Sequence, residues 1–271
     1  MRRCPVLLCC LALWLAGCAA PEIRLDREAE RLNLTRTVVK GTDFLHVAYF
    51  NHPAQARNGE LHVYLDGDGS PWIRHRWISD NPTPRNPLVL NLIGMDPVPS
   101  VYLGRPCYHG FGNQPPCTPE LWTDRRYSKI VIDSMTAALQ RLFESFHPHK
   151  IVLIGFSGGG ALAMLIAEHL DKIDGIVTVA GNLNHKAWTD RHRYSPLTGS
   201  ENPAMHPPLP GRIFQLHLAG EKDTNIPPDL VRPAVLRQPT AKLMVMPDAD
   251  HDCCWEKHWP YVLEMIKIRR H

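Results

Sequence analysis

The chain has 271 residues, 44% of them hydrophobic and 21% charged, with 30 Lys and Arg against 27 Asp and Glu. That length and apolar fraction exclude a disordered, fibrous or coiled-coil chain and suffice for a full core. A formal net charge of +3 on so mixed a sequence provides no strongly basic face, so nucleic acid is not an expected partner.

The N-terminus reads as an address. Arg2 and Arg3 precede a short apolar run from Val6 to Leu15, and the small residues Ala16 and Gly17 follow. Positive, apolar and small segments in that order make a secretory signal, too short to span a bilayer comfortably. Leu15-Ala16-Gly17-Cys18 resembles the lipobox of bacterial lipoproteins. That resemblance implies cleavage before Cys18 and its acylation, and several acyl chains on one residue anchor stably where one binds only marginally. Ala19 after the cysteine, in place of Asp, implies sorting to the outer membrane, facing the periplasm. Loss of Arg2 and Arg3 would leave 28 basic side chains against 27 acidic, a net of +1. The expected organisation is a signal over residues 1–17, a lipidated polar tether over 18–37 and one domain over 38–271.

Cysteine usage agrees with export. Of the 8 cysteines, Cys4, Cys9 and Cys10 leave with the signal and Cys18 is the anchor. Cys107, Cys117, Cys253 and Cys254 remain, an even number in an oxidising compartment. Cys107 and Cys117 flank a Gly- and Pro-rich loop that suits a local bridge. Cys253 and Cys254 are adjacent, and pairing with each other, elsewhere or not at all stays open.

Along the rest of the chain, strand and helix patterns alternate. Val38-Val39 and Phe44 to Phe50 read as two strands joined by a Lys40-Gly41-Thr42-Asp43 turn, and Leu61 to Leu65 as a third ending at Asp66-Gly67-Asp68-Gly69. Pro71 to Asn91 reads as a loop with a short helix, and Ser100 to Leu103 as a fourth strand. Residues 127–146 carry apolar side chains at Ile130, Val131, Met135, Ala138, Leu139 and Leu142, one face of a helix. Ile151 to Ile154 is an all-apolar strand of the kind buried in parallel sheets. A helix from Gly158, strands at Gly175 to Val179, Ile213 to Leu218 and Leu243 to Met246, and a helix from Trp255 complete the pattern. The order predicts an α/β fold, a mostly parallel doubly wound sheet of about eight strands opened by an antiparallel hairpin. The proline-rich stretches 81–87 and 195–210 are expected as surface loops or lids.

The strongest chemical signal is Gly155-Phe156-Ser157-Gly158-Gly159, a G-x-S-x-G run between a buried strand and an apolar helix. Small neighbours let the serine occupy a sharp turn, and the helix N-terminus with the Gly158 amide points where an oxyanion would form. A serine hydroxyl needs a base near neutral pH. Among 15 histidines, His251 follows the last strand and precedes the C-terminal helix, whereas His258 falls inside that helix and His217 inside a strand. The acid that orients such a base belongs after the preceding strand, where Asp223 stands with Glu221 as its neighbour. The order Ser157, Asp223, His251 is that of the α/β-hydrolases.

These residues resemble the α/β-hydrolase superfamily from about residue 38 to the C-terminus. More narrowly, Tyr64-Leu65-Asp66-Gly67-Asp68-Gly69, Gly104-Arg105-Pro106-Cys107, Trp122-Thr123 and Arg126-Tyr127-Ser128 resemble a group of uncharacterised proteobacterial hydrolase-like lipoproteins. The superfamily resemblance implies a serine hydrolase of the esterase type acting on a small-molecule or lipid acyl substrate, with a triad of Ser157, Asp223 and His251. It places Asp66 where esterases often carry histidine and assigns the second oxyanion donor, beside Gly158, to the amide of Asp68. No cofactor is expected, nor a metal: Asp66 and Asp68 lack the rest of a calcium loop, and the His251–Cys254 run lacks separated zinc-ligand pairs. A monomer is expected, with the membrane as its partner through Cys18. The competing class is a catalytically silent hydrolase-fold lipoprotein acting as a binding or envelope-assembly factor, since a fold does not fix a function.

Overall fold

A computed structural model describes residues 19–51, 59–74 and 76–268; the expected signal segment and Cys18 lie outside them. An eight-stranded sheet runs through the molecule. Its strands are β1 (Thr35–Lys40), β2 (Leu45–Phe50), β3 (Glu60–Leu65), β6 (Ser100–Leu103), β7 (Lys150–Phe156), β8 (Gly175–Val179), β9 (Phe214–Gly220) and β10 (Ala241–Met246). The spatial order is β1-β2-β6-β3-β7-β8-β9-β10. β1, β2 and β6 pair antiparallel, and every junction from β6 through β3 to β10 is parallel. This is the mostly parallel sheet of eight strands, opened by an antiparallel hairpin, that the alternating pattern predicts.

Alternating side chains build two cores, one on each face. Leu61, Val63 and Leu65 of β3 with Ile151 and Leu153 of β7 face α3 (Lys129–Phe146), α4 (Gly158–Ala167) and α6 (Pro228–Leu236). Tyr64 of β3 with Val152 and Ile154 of β7 face α1 (Pro21–Arg31), α2 (Leu88–Gly94) and α7 (Trp255–Ile268). α5 (His185–His192) follows β8, and a two-stranded hairpin, β4 (Trp72–Ile73) with β5 (Trp77–Ile78), stands apart from the main sheet. No helix among the described residues is long and apolar enough to cross a membrane.

Two expectations are corrected. Residues 18–37 are not a free tether: α1 inserts Leu25 and Ala29 into the core, Asp26 accepts a 2.6 Å hydrogen bond from the Tyr49 hydroxyl, and β1 starts at Thr35. The folded domain therefore begins about residue 21 rather than 38, because a single apolar stripe suffices to dock an otherwise polar helix. Nor is 81–87 wholly a surface loop. Pro82, Thr83 and Pro84 are buried, and the Pro82 carbonyl accepts the Ser70 amide at 2.8 Å.

Disulfides join Cys107 to Cys117 and Cys253 to Cys254. The first closes the loop whose Tyr108 hydroxyl donates to the Asp68 carbonyl at 2.9 Å. With a sequence separation of 10, replacing both Cys107 and Cys117 by alanine should cost about 2–3 kcal/mol in chain entropy. Urea unfolding of the double variant reads that loss as a lowered midpoint at unchanged slope.

Three buried imidazoles add acid sensitivity. His46 lies between the Gly104 carbonyl and Ser134 Oγ, both at 2.8 Å; His109 Nε2 lies 3.0 Å from the Tyr102 hydroxyl; His217 Nδ1 lies 2.8 Å from Thr178 Oγ1. Burial pushes each down to about 4 from 6.5. Between those values the unfolded chain binds more protons, so stability is complete above pH 6.5 and falls as pH drops toward 4. Each imidazole contributes roughly 3 kcal/mol over that window, at about 1.4 kcal/mol per pH unit. Asp66, pushed up to about 6 by burial, and His62, raised by Asp96 and Glu60 against the opposing effect of its burial, act with the opposite sign. The three histidines outweigh them, so the urea midpoint should be lower at pH 4.5 than at pH 7.

Candidate active site

β7 delivers Ser157 at its C-terminal end, in a turn with φ 50° and ψ −118° that opens α4. This left-handed conformation is costly for a non-glycine residue and persists only where the surroundings impose it. Close packing imposes it here: a Cβ on Gly155 would stand 2.2 Å from the Gly159 carbonyl oxygen. The Ser157 amide donates to the Val179 carbonyl at 2.9 Å and its carbonyl accepts the Asn182 amide at 2.9 Å, so the turn is tied to the neighbouring strand and loop.

The parallel strands bring the other two predicted residues to the same edge. Asp223 follows β9 and is buried, its Oδ1 accepting the amides of Asn225 and Ile226, each at 2.8 Å. His251 follows β10. Its Nδ1 lies 2.8 Å from Asp223 Oδ2 and its Nε2 lies 3.1 Å from Ser157 Oγ. A carboxylate can only accept, so Nδ1 carries the proton and the Nε2 lone pair faces the serine hydroxyl. The arrangement can thus take a proton from Oγ and stabilise the imidazolium that results.

Both loops are fixed from outside. Trp255, buried at the head of α7, donates from Nε1 to the His251 carbonyl at 3.1 Å. Trp188 Nε1 donates to Asn225 Oδ1 at 3.0 Å, and His192 Nε2 lies 2.8 Å from the Asn225 carbonyl. Trp188 and His192 therefore brace the Asp223 loop. The rival acid Glu221 is exposed, and His258 lies within α7 at 2.5 Å from Asp248.

The loop after β3 lies against Ser157. A Cβ on Gly67 would be 3.3 Å from the Ser157 Cβ, and one on Gly158 would be 2.0 Å from Asp68 Oδ1. Gly158 and Asp68 are therefore neighbours, as the two predicted oxyanion donors must be. The Asp68 carboxylate faces Arg105 Nη2 and Arg126 Nη1, each at 2.8 Å, and the Tyr127 hydroxyl at 2.8 Å. Burial disfavours its charged form, but Arg126 and Arg105 outweigh that and hold the carboxyl below its ordinary value. Both guanidiniums are buried, and that of Arg105 also lies 5.4 Å from the Tyr127 ring and 5.9 Å from the Tyr108 ring. The Asp66 carboxylate also acts on Arg105, so the two guanidiniums and the two carboxylates form a balanced ion network that holds the Asp68 loop against Ser157. Arg105 and Arg126 stand within the Gly104–Cys107 and Arg126–Ser128 motifs, which carry no expected role for either side chain.

Comparison with known proteins agrees with this architecture. The dienelactone hydrolase family model matches residues 98–261, more than half of the chain. No curated protein is significantly similar in sequence. Among solved structures, an esterase from Pyrococcus furiosus is 14% identical with a TM-score of 0.59, over 88% of this chain and 92% of that one. A naproxen esterase from Bacillus subtilis is 13% identical with a TM-score of 0.57, over 93% and 97%. An α/β serine hydrolase homologue from Coxiella burnetii is 15% identical with a TM-score of 0.55, over 86% and 95%.

Proposed function

The chain belongs to the dienelactone hydrolase family and is a hydrolase of the α/β-hydrolase type, and on that premise we propose that it cleaves an ester or related acyl bond through an acyl intermediate on Ser157. The observation that carries this reading is the continuous line from Asp223 Oδ2 through His251 to Ser157 Oγ, with gaps of 2.8 and 3.1 Å. Oγ attacks the substrate carbonyl while its proton passes to His251 Nε2. The amides of Gly158 and Asp68 receive the developing oxyanion. As the tetrahedral intermediate collapses, the imidazolium returns the proton to the leaving group. Water then enters, gives a proton to His251 and attacks the acyl carbon, and the imidazolium returns that proton to Ser157 Oγ as the C–Oγ bond breaks and the acid leaves. The silent-fold alternative calls for a serine out of reach of the histidine, and the 3.1 Å separation supports catalysis over it.

In this reading Cys18 is acylated and the enzyme works at the outer membrane, facing the periplasm. The lipobox resemblance supports the anchor. A fluorophosphonate probe should label the wild-type protein and fail to label Ser157→Ala; equal labelling of both would refute the acyl-serine mechanism. Palmitate incorporation that survives Cys18→Ser would refute the anchor.

A further inference from the structure

The β4–β5 hairpin stands apart from the main sheet and leaves much of its apolar surface in solvent. Trp72 pairs with Ile78 and Ile73 with Trp77. These cross-strand pairs point to opposite faces of the ribbon. All four are nevertheless exposed, at 43%, 44%, 43% and 62% for Trp72, Ile78, Ile73 and Trp77. Both faces thus present large apolar side chains to water, an arrangement water disfavours and a two-stranded ribbon does not stabilise by itself. Arg74 and Arg76 form the tip and are exposed, and the Arg76 guanidinium lies 5.2 Å from the Trp77 ring centroid. Asp80 is the one acidic residue from Ser70 to Arg85. The base is rigid: the Ser79 amide donates to the Pro71 carbonyl at 2.9 Å, and buried Trp122 donates to the Ser79 carbonyl at 3.0 Å.

We propose that this hairpin is a membrane-contact element that seats its two tryptophans and two isoleucines in an anionic phospholipid surface. Tryptophan favours the headgroup level, where its ring is buried and its N–H stays wet, while arginine pairs with anionic lipid. The occupant is indicated by where the chain leaves the fold. Glu22, in the first turn of α1, accepts a 2.6 Å hydrogen bond from Asn81 Nδ2, three residues beyond the hairpin. The N-terminal chain toward Cys18 therefore departs beside the hairpin base. Acyl chains fix one point of a domain, and a second contact beside them fixes its orientation. The hairpin is also continuous in sequence with the loop carrying Gly67 and Asp68, which lies against Ser157, so a contact there holds the membrane close to that loop. The membrane's proximity rests on acylation of Cys18, whereas the hairpin contact does not, and the two are read separately.

The test uses the processed full-length protein with phosphatidylethanolamine–phosphatidylglycerol vesicles whose acyl chains are brominated. Mass spectrometry of the N-terminal peptide reports acylation. Tryptophan quenching by bromine reports the hairpin. The wild type should be quenched, and Trp72→Ser/Trp77→Ser should lose most of that quenching while keeping its circular dichroism spectrum. Arg74→Glu/Arg76→Glu, which keeps both fluorophores, should lower the bromine quenching on these vesicles severalfold, with less effect on neutral ones. An acylated wild type quenched no more than the tryptophan variant overturns the proposal and leaves the anchor standing. If Cys18 is unmodified, the same quenching comparison on added vesicles still decides the hairpin contact. A wild-type dimer that the tryptophan variant converts to monomer, without lipid quenching, assigns the hairpin to a second copy of the chain and also overturns it.

Discussion

Replacing His251 by alanine should lower kcat by about 10⁴- to 10⁶-fold, with KM for a small ester changed far less. Without an acceptor 3.1 Å from Oγ, the serine proton has no route out at neutral pH. Ser157→Ala should fall to the same residual rate, and the double variant no lower, because the two side chains act as one unit. Losses that add in logarithm would instead mean that they act in separate steps. Asp223→Asn is a finer probe. The amides of Asn225 and Ile226 claim Oδ1, so an asparagine there would keep its oxygen toward them and turn its NH₂ toward His251. Nδ1 must then accept, the ring proton moves to Nε2, and turnover should drop about 10⁴-fold although the geometry is kept.

Asp68→Ala should destabilise the fold by about 3–5 kcal/mol, read as a lowered urea midpoint. The reason is what remains after truncation. Arg105 and Arg126 are 3% and 5% exposed, and Asp68 is the carboxylate within 2.8 Å of both. No Arg105 side-chain nitrogen has a well-aligned hydrogen-bond partner among the described residues, so its charge is balanced by proximity to carboxylates, Asp68 first and Asp66 after it. Burial works against the Arg105 cation, and Asp68 reverses the effect and holds its pKa above the ordinary value. Removing the carboxylate strands two cations in the interior, whereas Asp68→Asn retains a hydrogen-bond acceptor for Tyr127 and should cost less. A loss below about 1 kcal/mol for Asp68→Ala would show the pair to be solvated and exchangeable.

Parallel strands buried on both faces read as short apolar runs, which is why β7, β8 and β9 are visible in sequence almost residue for residue. Ser157 is legible because the turn that exposes it demands glycine at fixed offsets. Asp223 and His251 are legible by position, each just beyond a late strand. Elements that are polar in composition are harder to see. α1 is docked chiefly by Leu25 and Ala29, α5 is mostly charged and aromatic, and α6 carries Pro233 in its interior. The β4–β5 ribbon has apolar residues in adjacent pairs instead of alternation, and it reads as loop. The arginines around Asp68 are hidden for another reason. Arg126 lies 58 positions away in sequence, and no local pattern announces a partner at that range.

The position of β6 in the sheet sets an order of events for the nascent chain. β6 has four residues and sits between β2 and β3, so the two strands that precede it cannot join one sheet until residues 100–103 have arrived. Emergence from the N-terminus delivers the β1–β2 ribbon and β3 first, each with an open edge that β6 alone will cover. Open edges of this kind recruit other chains, so the interval between residues 50 and 103 is when a folding helper has most to protect. β7 to β10 face no such wait, because β7 is laid beside the finished β3 and β8, β9 and β10 each beside its predecessor.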